Sequence, residues 1–75
     1  MLNGPLVREL RVAHRWSIQR CLFEAYQRGF DISEATWRRV EKDDLPQISL
    51  EKALAVAAAL GKPVDEIAYR PTAVA

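Results

Sequence analysis

The sequence predicts an all-α protein, a compact single domain of five short helices. Apolar residues recur at spacings of three and four along most of the chain, which is the period of an amphipathic helix. The first four periodic segments each follow an Asn, Asp or Ser residue that can cap a helix, and several end near Gly or Pro. No segment alternates apolar and polar residues as a half-buried strand does.

The first helix is predicted at about residues 5–14. Asn3 can cap it, and Pro5 stands in its first turn, where a missing backbone N–H costs no hydrogen bond. The face that we expect to be buried consists of Leu6, Leu10 and Ala13, with Val7 beside them.

The second helix begins after Ser17, which can cap it, and ends near Gly29. Phe23 falls off its apolar face, so this ring is either covered by the segment that follows or forms a contact with another subunit. The face that we expect to be buried consists of Ile18, Cys21, Leu22, Ala25 and Tyr26.

The third helix is predicted at about residues 33–42. Asp31 and Ser33 can both cap it, and Asp31 with Glu34 has the spacing of a capping box. Its apolar face consists of Ile32, Trp37 and Val40, supported by Ala35, and its charged residues lie elsewhere on the cylinder. One face therefore packs and the other can contact a partner.

The fourth helix is the most strongly marked, because Ser49 can cap it and Gly61 with Pro63 ends it. Residues 43–47 before it form a loop. Val64 and Ile67 indicate a short fifth helix. We therefore assign residues 1–70 to one domain and residues 71–75 to a flexible C-terminal tail. The inward face of the fourth helix is predicted to be Leu50, Ala53, Leu54, Ala57 and Leu60.

The composition argues against catalysis and metal binding. With one cysteine and one histidine, Cys21 and His14, the chain can form neither an internal disulfide nor a cysteine-based zinc site, and it has no triad or paired-carboxylate arrangement. We expect no enzymatic activity, no cofactor and no small-molecule ligand. No apolar run is long enough to span a membrane and no signal peptide is recognisable, so we expect a cytoplasmic protein of a bacterial cell or a phage-infected host.

The net charge of +1 conceals an asymmetry between the two parts of the chain. Residues 1–42 carry eight basic and five acidic side chains, a net charge of +3, whereas residues 43–75 carry three basic and five acidic ones, a net charge of −2. This favours an anionic partner on the side of the third helix.

Three segments together resemble the lambda-repressor-like (Cro/XRE-type) helix-turn-helix family. Residues 32–42, ISEATWRRVEK, are similar to its recognition-helix pattern of an apolar residue, Ser, polar positions, an apolar residue, two polar positions, an apolar residue and Glu. Residues 49–67 resemble its fourth helix and the start of its fifth, and residues 8–17 resemble its first helix and the cap of its second. The match covers most of residues 6–67 and implies a five-helix lambda-repressor-like domain.

The resemblance implies a sequence-specific transcriptional regulator, a Cro-like repressor of a phage or mobile element that binds a double-stranded DNA operator. The recognition helix would lie in the major groove. Two alternatives stay open at the residue level: Glu34 can serve only as a capping partner of Asp31, and Arg38 and Arg39 can be solvated helix charges. The DNA-contacting residues implied by the resemblance are Gln19, Ser33, Glu34, Ala35, Thr36, Arg38, Arg39 and Lys42.

The resemblance also implies an ion pair between Arg11 and Glu41 that joins the first and third helices. A homodimer reading a palindromic operator is a further implication. Its surface would come from Pro63, Val64, Ile67 and Tyr69.

The chain departs from the family pattern in three respects. The segment between Ser17 and Ser33 is longer than usual, Trp37 stands where the family has a smaller residue, and Asp43 with Asp44 makes the following loop acidic. The acidic loop, the low net charge and Phe23 favour a protein-interaction module on the same fold, such as an antitoxin or an immunity factor.

Overall fold

The computed structural model describes residues 2–44 and 47–68, and in these residues it contains five helices and no strand. The predictions of an all-α class and of five helices are therefore confirmed. Leu2 and Ala68 form an isolated antiparallel bridge. The helices are α1 (Gly4–Ala13), α2 (Ile18–Gln27), α3 (Glu34–Glu41), α4 (Leu50–Leu60) and α5 (Val64–Ile67).

A side chain caps the start of each of the first four helices. Asn3, Ser17, Ser33 and Ser49 accept hydrogen bonds from the backbone N–H groups of Leu6, Arg20, Thr36 and Lys52. Each bond satisfies one of the N–H groups that a helix start leaves without an internal partner. The predicted caps of α1, α2 and α4 are thus confirmed.

The cap of α3 is Ser33. The predicted capping box between Asp31 and Glu34 is wrong. Ser33 Oγ accepts from the Thr36 backbone N–H at 3.1 Å, and Glu34 is the first helical residue rather than the fourth position of a box. Position 34 therefore leaves the Glu34 carboxylate pointing to neighbouring side chains.

Glycine ends α2 and α4 in the predicted places. Gly29 has a φ of 86° and Gly61 a φ of 69°, the left-handed region that side chains with a Cβ rarely occupy. The turn after α2 follows from this: the Phe30 backbone N–H bonds back to the Ala25 carbonyl oxygen at 3.0 Å.

The core lies between α2 and α4 on one side and α1 and α3 on the other, with α5 closing it against α4. Trp37, Ile67, Val7, Val56 and Cys21 are its largest fully buried side chains. Helix α4 contributes a layer of small side chains to the same core: Ala53, Ala55, Val56, Ala57 and Ala59.

Four predicted inward faces are partly wrong. On α3, Ala35 is exposed rather than on the packed side. On α4, Leu50 and Leu54 are 69% and 37% exposed. On α2, Tyr26 is 72% exposed, and on α1, Ala13 is exposed while Val7 is fully buried. The physical reason on α4 is that it contacts α1, α2 and α5, so its small residues are buried around most of the helix and the leucine spacing does not mark the buried side.

The N-terminus of α1 packs closely against the C-terminus of α3. Gly4 is buried, and a Cβ atom at this position would collide with the carbonyl oxygen of Val40. The Gly4 backbone N–H also faces Asp43 Oδ1 at 3.4 Å. This approach fixes α1 and α3 against each other.

The first and last described residues meet beside α5. The Asn3 backbone N–H donates to the Ile67 carbonyl oxygen at 2.7 Å, next to the bridge between Leu2 and Ala68. No helix in residues 2–44 and 47–68 has the length and apolar character needed to cross a membrane. The predicted tail at residues 71–75 lies outside the described residues.

Candidate nucleic-acid interface

Helix α3 separates a buried face from an exposed one. Trp37 and Val40 are 0% and 3% exposed, and Ile32, just before the helix, is 5% exposed. The opposite face is polar. Most of its residues are the ones implied by the resemblance: Ser33, Ala35, Arg38, Arg39 and Lys42 are exposed, and Glu34 and Thr36 are partly buried.

Glu41 anchors α3 to α1 through its two carboxylate oxygens. Arg11 Nε donates to Oε2 at 2.6 Å and Arg11 Nη2 donates to Oε1 at 3.0 Å, a bidentate pair in which the side chains are only 16% and 8% exposed. Arg11 Nη1 donates to the Trp16 carbonyl oxygen at 2.9 Å. The hydrogen bond that Arg11 donates to Glu41 raises the pKa of the guanidinium, although partial burial acts in the opposite direction.

Trp37 supplies a third hydrogen bond to the same carboxylate. Its indole Nε1 donates to Glu41 Oε2 at 2.6 Å, so a fully buried ring has its polar atom satisfied. Sequence reasoning missed this bond, although Trp37 and Glu41 are four residues apart and adjacent on a helix. The Glu41 carboxylate therefore holds both the Trp37 ring and the Arg11 guanidinium.

The first turn of α2 is joined to the first turn of α3. Gln19 Nε2 donates to Glu34 Oε1, and Arg38 Nε donates to Glu34 Oε2 at 2.9 Å. The two donors, Gln19 and Arg38, are both exposed. Glu34 therefore links Gln19 of one helix to Arg38 of the other.

The remaining polar residues of α3 are held close to the helix. Ser33 Oγ donates to Thr36 Oγ1 at 2.9 Å while it caps the helix. Arg39 Nη2 donates to the Asp44 carbonyl oxygen at 3.1 Å. The exposed Lys42 is the C-cap residue of α3.

A shallow groove lies between α1 and α3 beside this surface. Its volume is about 380 Å³. It is lined by Arg8, Arg11, Ile18, Arg38, Glu41 and Lys42.

An aromatic and cationic cluster stands at the start of α2, where sequence reasoning placed none. The His14 ring stacks on the Trp16 ring at 4.5 Å, and the Arg20 guanidinium lies 5.3 Å from the Trp16 centroid. Arg20 and Arg28 both bind Glu24, and these hydrogen bonds, with Arg28 contributing most, lower the pKa of the Glu24 carboxyl. The positive charges of α2 are thus partly compensated along the helix.

The residues of the implied dimer surface are in different environments. Pro63 is exposed and Val64 is half-buried, but Ile67 is fully buried in the core of its own chain. Tyr69 lies outside the described residues. The Ile67 side chain therefore contributes to folding rather than to the surface.

The acidic loop begins directly at the end of α3. Asp43 has a φ of 60° and approaches the start of α1, and both Asp43 and Asp44 are exposed. Across residues 2–44 and 47–68, no group of His, Cys, Asp and Glu side chains is arranged to hold a metal ion.

Comparison of the chain with protein-family models, with curated proteins and with solved structures gives no match.

Proposed function

We propose that this protein is a sequence-specific DNA-binding transcriptional regulator, in which α2 and α3 form a lambda-repressor-like helix-turn-helix unit. The observation that carries the proposal is the link from Gln19 through Glu34 to Arg38. It holds the first turns of α2 and α3 at one exposed surface, beside the helix face that resembles a recognition helix.

The dimensions of α3 are compatible with this role. Eight residues at about 1.5 Å each give a helix about 12 Å long. The major groove is about 12 Å wide and admits an α-helix. Because Trp37 and Val40 anchor the opposite face, the exposed residues can enter the groove without unfolding the helix.

The exposed side chains offer several types of base contact. Ala35 and the methyl group of Thr36 can contact a thymine methyl group, and Glu34 can accept from cytosine N4. Arg38 can donate two hydrogen bonds to guanine O6 and N7. Ser33, which caps the helix, can also contact a phosphate.

The ion pair between Arg38 and Glu34 does not prevent Arg38 from contacting DNA. The two side chains are 57% and 37% exposed, and such pairs four residues apart on a helix contribute roughly 0.3–0.5 kcal/mol. A bidentate contact with guanine discriminates against other bases by about 1–3 kcal/mol. The contact with the base therefore outweighs the pair that it replaces.

Selection of binding sites from a random duplex library, with the purified protein at near-physiological salt, tests this proposal. A motif with two-fold symmetry would indicate a dimer of the Cro-like repressor type, with two α3 helices about one turn of DNA apart. A short asymmetric motif would indicate a monomer. Absence of any enriched motif would contradict sequence-specific DNA binding.

A second candidate function is a protein-interaction module, which exposed apolar side chains favour. Phe23 and Tyr26 on α2 are 53% and 72% exposed, and Leu50 on α4 is 69% exposed. If the protein acts by binding another protein, substitution of Phe23 and Tyr26 by Ser should abolish the binding of that protein. The same substitutions should leave operator binding intact if the protein acts through α3.

A further inference from the structure

The groove between α1 and α3 carries more positive than negative charge. Four basic side chains and one carboxylate line it, a net charge of +3. The carboxylate is that of Glu41, whose two oxygens already accept from Arg11 and Trp37. It therefore offers little negative charge to repel an anion that enters the groove.

Two of the four cations are available to a ligand. The ion pairs in residues 2–44 and 47–68 join Arg11, Arg20, Arg28 and Arg38 to carboxylates, and none of them includes Arg8 or Lys42. Arg8 lies on α1 and Lys42 at the end of α3, and both are exposed. Arg11 lies between the two helices, oriented by its three hydrogen bonds.

The size of the groove suits a small hydrated anion. Its volume of about 380 Å³ corresponds to roughly a dozen water molecules at about 30 Å³ each. A phosphate group with part of its hydration shell fits in such a space. The carbonyl oxygens of Arg38, Arg39 and Val40 at the end of α3 accept from backbone N–H groups of residues 42–44, which reduces their repulsion of an anion.

Arg38 makes the groove continuous with the exposed face of α3. Its side chain lines the groove and also binds Glu34 in the first turn of the helix. A helix that lies in the major groove has a sugar–phosphate backbone along each side of it. A duplex in contact with α3 therefore presents phosphates beside the groove.

We propose that this groove binds a backbone phosphate of the duplex that α3 reads, with Arg8 and Lys42 as the ligands and Arg11 as a fixed positive charge behind them. This inference rests on the proposed DNA-binding function. It adds Arg8, a residue of α1, to the contact surface. A phosphate contact contributes affinity without reading sequence, and it makes binding more dependent on salt.

The test measures binding of duplex DNA by fluorescence anisotropy between about 50 and about 200 mM salt. The proteins are the wild type, Arg8→Gln, Lys42→Gln and the double variant. The probes are a duplex recovered by site selection and a scrambled duplex of the same composition. Lys62→Gln, which removes one positive charge outside the groove, is the matched control.

Each groove substitution should reduce the slope of log affinity against log salt by about 0.9, and the double variant by about 1.8. Over a fourfold range of salt, the affinity of the wild type should thus fall roughly tenfold more than that of the double variant. Both duplexes should be affected equally, and Lys62→Gln should keep the wild-type slope. Thermal unfolding should match the wild type, because Arg8 and Lys42 are exposed.

Three results would overturn the inference, and they can be distinguished from one another. An unchanged slope in the double variant, with wild-type binding present, would remove the phosphate site and leave the proposed function intact. A lost preference for the selected duplex at an unchanged slope would mean that the two residues read bases. If the wild type binds neither duplex, the proposed function fails together with the inference.

Discussion

Glu41 binds two donor side chains, those of Arg11 and Trp37, with one carboxylate. The resemblance implied its pairing with Arg11, and the structure adds the indole N–H of Trp37 to the same carboxylate. Removing a partly buried carboxylate leaves both donors without their acceptor, so its contribution is larger than that of a surface ion pair.

We predict that Glu41→Gln lowers the free energy of unfolding by about 2–3 kcal/mol, because the amide cannot accept all three bonds and leaves the Arg11 charge unpaired. Urea denaturation monitored by circular dichroism measures this loss. Glu51→Gln, at an exposed position on α4, is the control and should be close to the wild type. A wild-type midpoint for Glu41→Gln would contradict the anchoring role.

Cys21 makes stability depend on pH in the alkaline range. Burial raises the pKa of its thiol from an ordinary value near 9 to about 11. Below pH 9 the thiol is protonated in both the folded and the unfolded protein. Between pH 9 and pH 11 the unfolded chain loses this proton while the folded chain keeps it, so stability falls as the pH rises.

We therefore predict that the wild type loses roughly 2–3 kcal/mol more than Cys21→Ala between pH 8 and pH 11. Urea denaturation of both proteins across this range measures the difference. The variant supplies its own baseline, since the small cavity left by alanine affects stability equally at every pH. Parallel pH profiles for the two proteins would show that the pKa of the thiol is not raised by folding.

At the scale of elements, the start of α1 depends on the absence of a side chain at Gly4. Alanine is the better helix former, so intrinsic propensity alone predicts that Gly4→Ala stabilises α1 by up to about 1 kcal/mol. The contact with the Val40 carbonyl oxygen outweighs this gain, because it involves backbone atoms of α3 that cannot move independently.

We predict that Gly4→Ala destabilises the protein by about 1–3 kcal/mol, as overpacked sites do. Thermal unfolding followed at 222 nm provides the measurement. Val12→Ala, at a position on the same helix that is 55% exposed, should change stability by less than about 0.5 kcal/mol. A more stable Gly4→Ala protein would mean that α1 and α3 do not approach as closely as described.

Helix starts and ends were predictable because they depend on neighbouring residues. Asn3, Ser17 and Ser49 stand immediately before the helices that they cap, Gly61 stands immediately after α4, and Gly29 stands one residue further from the end of α2. The buried face of α4 was less predictable. Alanine fits both the interior and the surface, so in this helix the positions of Leu50 and Leu54 did not indicate which side packs.

At the scale of the whole molecule, the missing information concerned contacts between distant parts of the chain. Glu34 was predicted as a DNA contact, but its bond to Gln19 depends on how α2 and α3 cross. From the sequence, Arg8 contributes only to the net charge and to the resemblance of residues 8–17, because no local pattern places it beside Lys42. Most α3 residues of the candidate surface can thus be predicted from the sequence. The contribution of Arg8 from α1 becomes visible only in the folded structure.

The proposed function requires that the exposed face of α3 reads DNA sequence. The most direct measurement is site selection from one random duplex library by three proteins in parallel: the wild type, Arg38→Ala/Arg39→Ala, and the control Arg28→Ala/Lys62→Ala. The control removes the same number of positive charges outside α3. The circular dichroism spectra of all three proteins establish that each is folded.

We expect that the wild type and the control enrich the same motif and that the α3 variant enriches none, because each bidentate arginine contact discriminates by about 1–3 kcal/mol. Enrichment of the wild-type motif by the α3 variant, at unchanged affinity, would contradict the assignment of α3 as the reading helix.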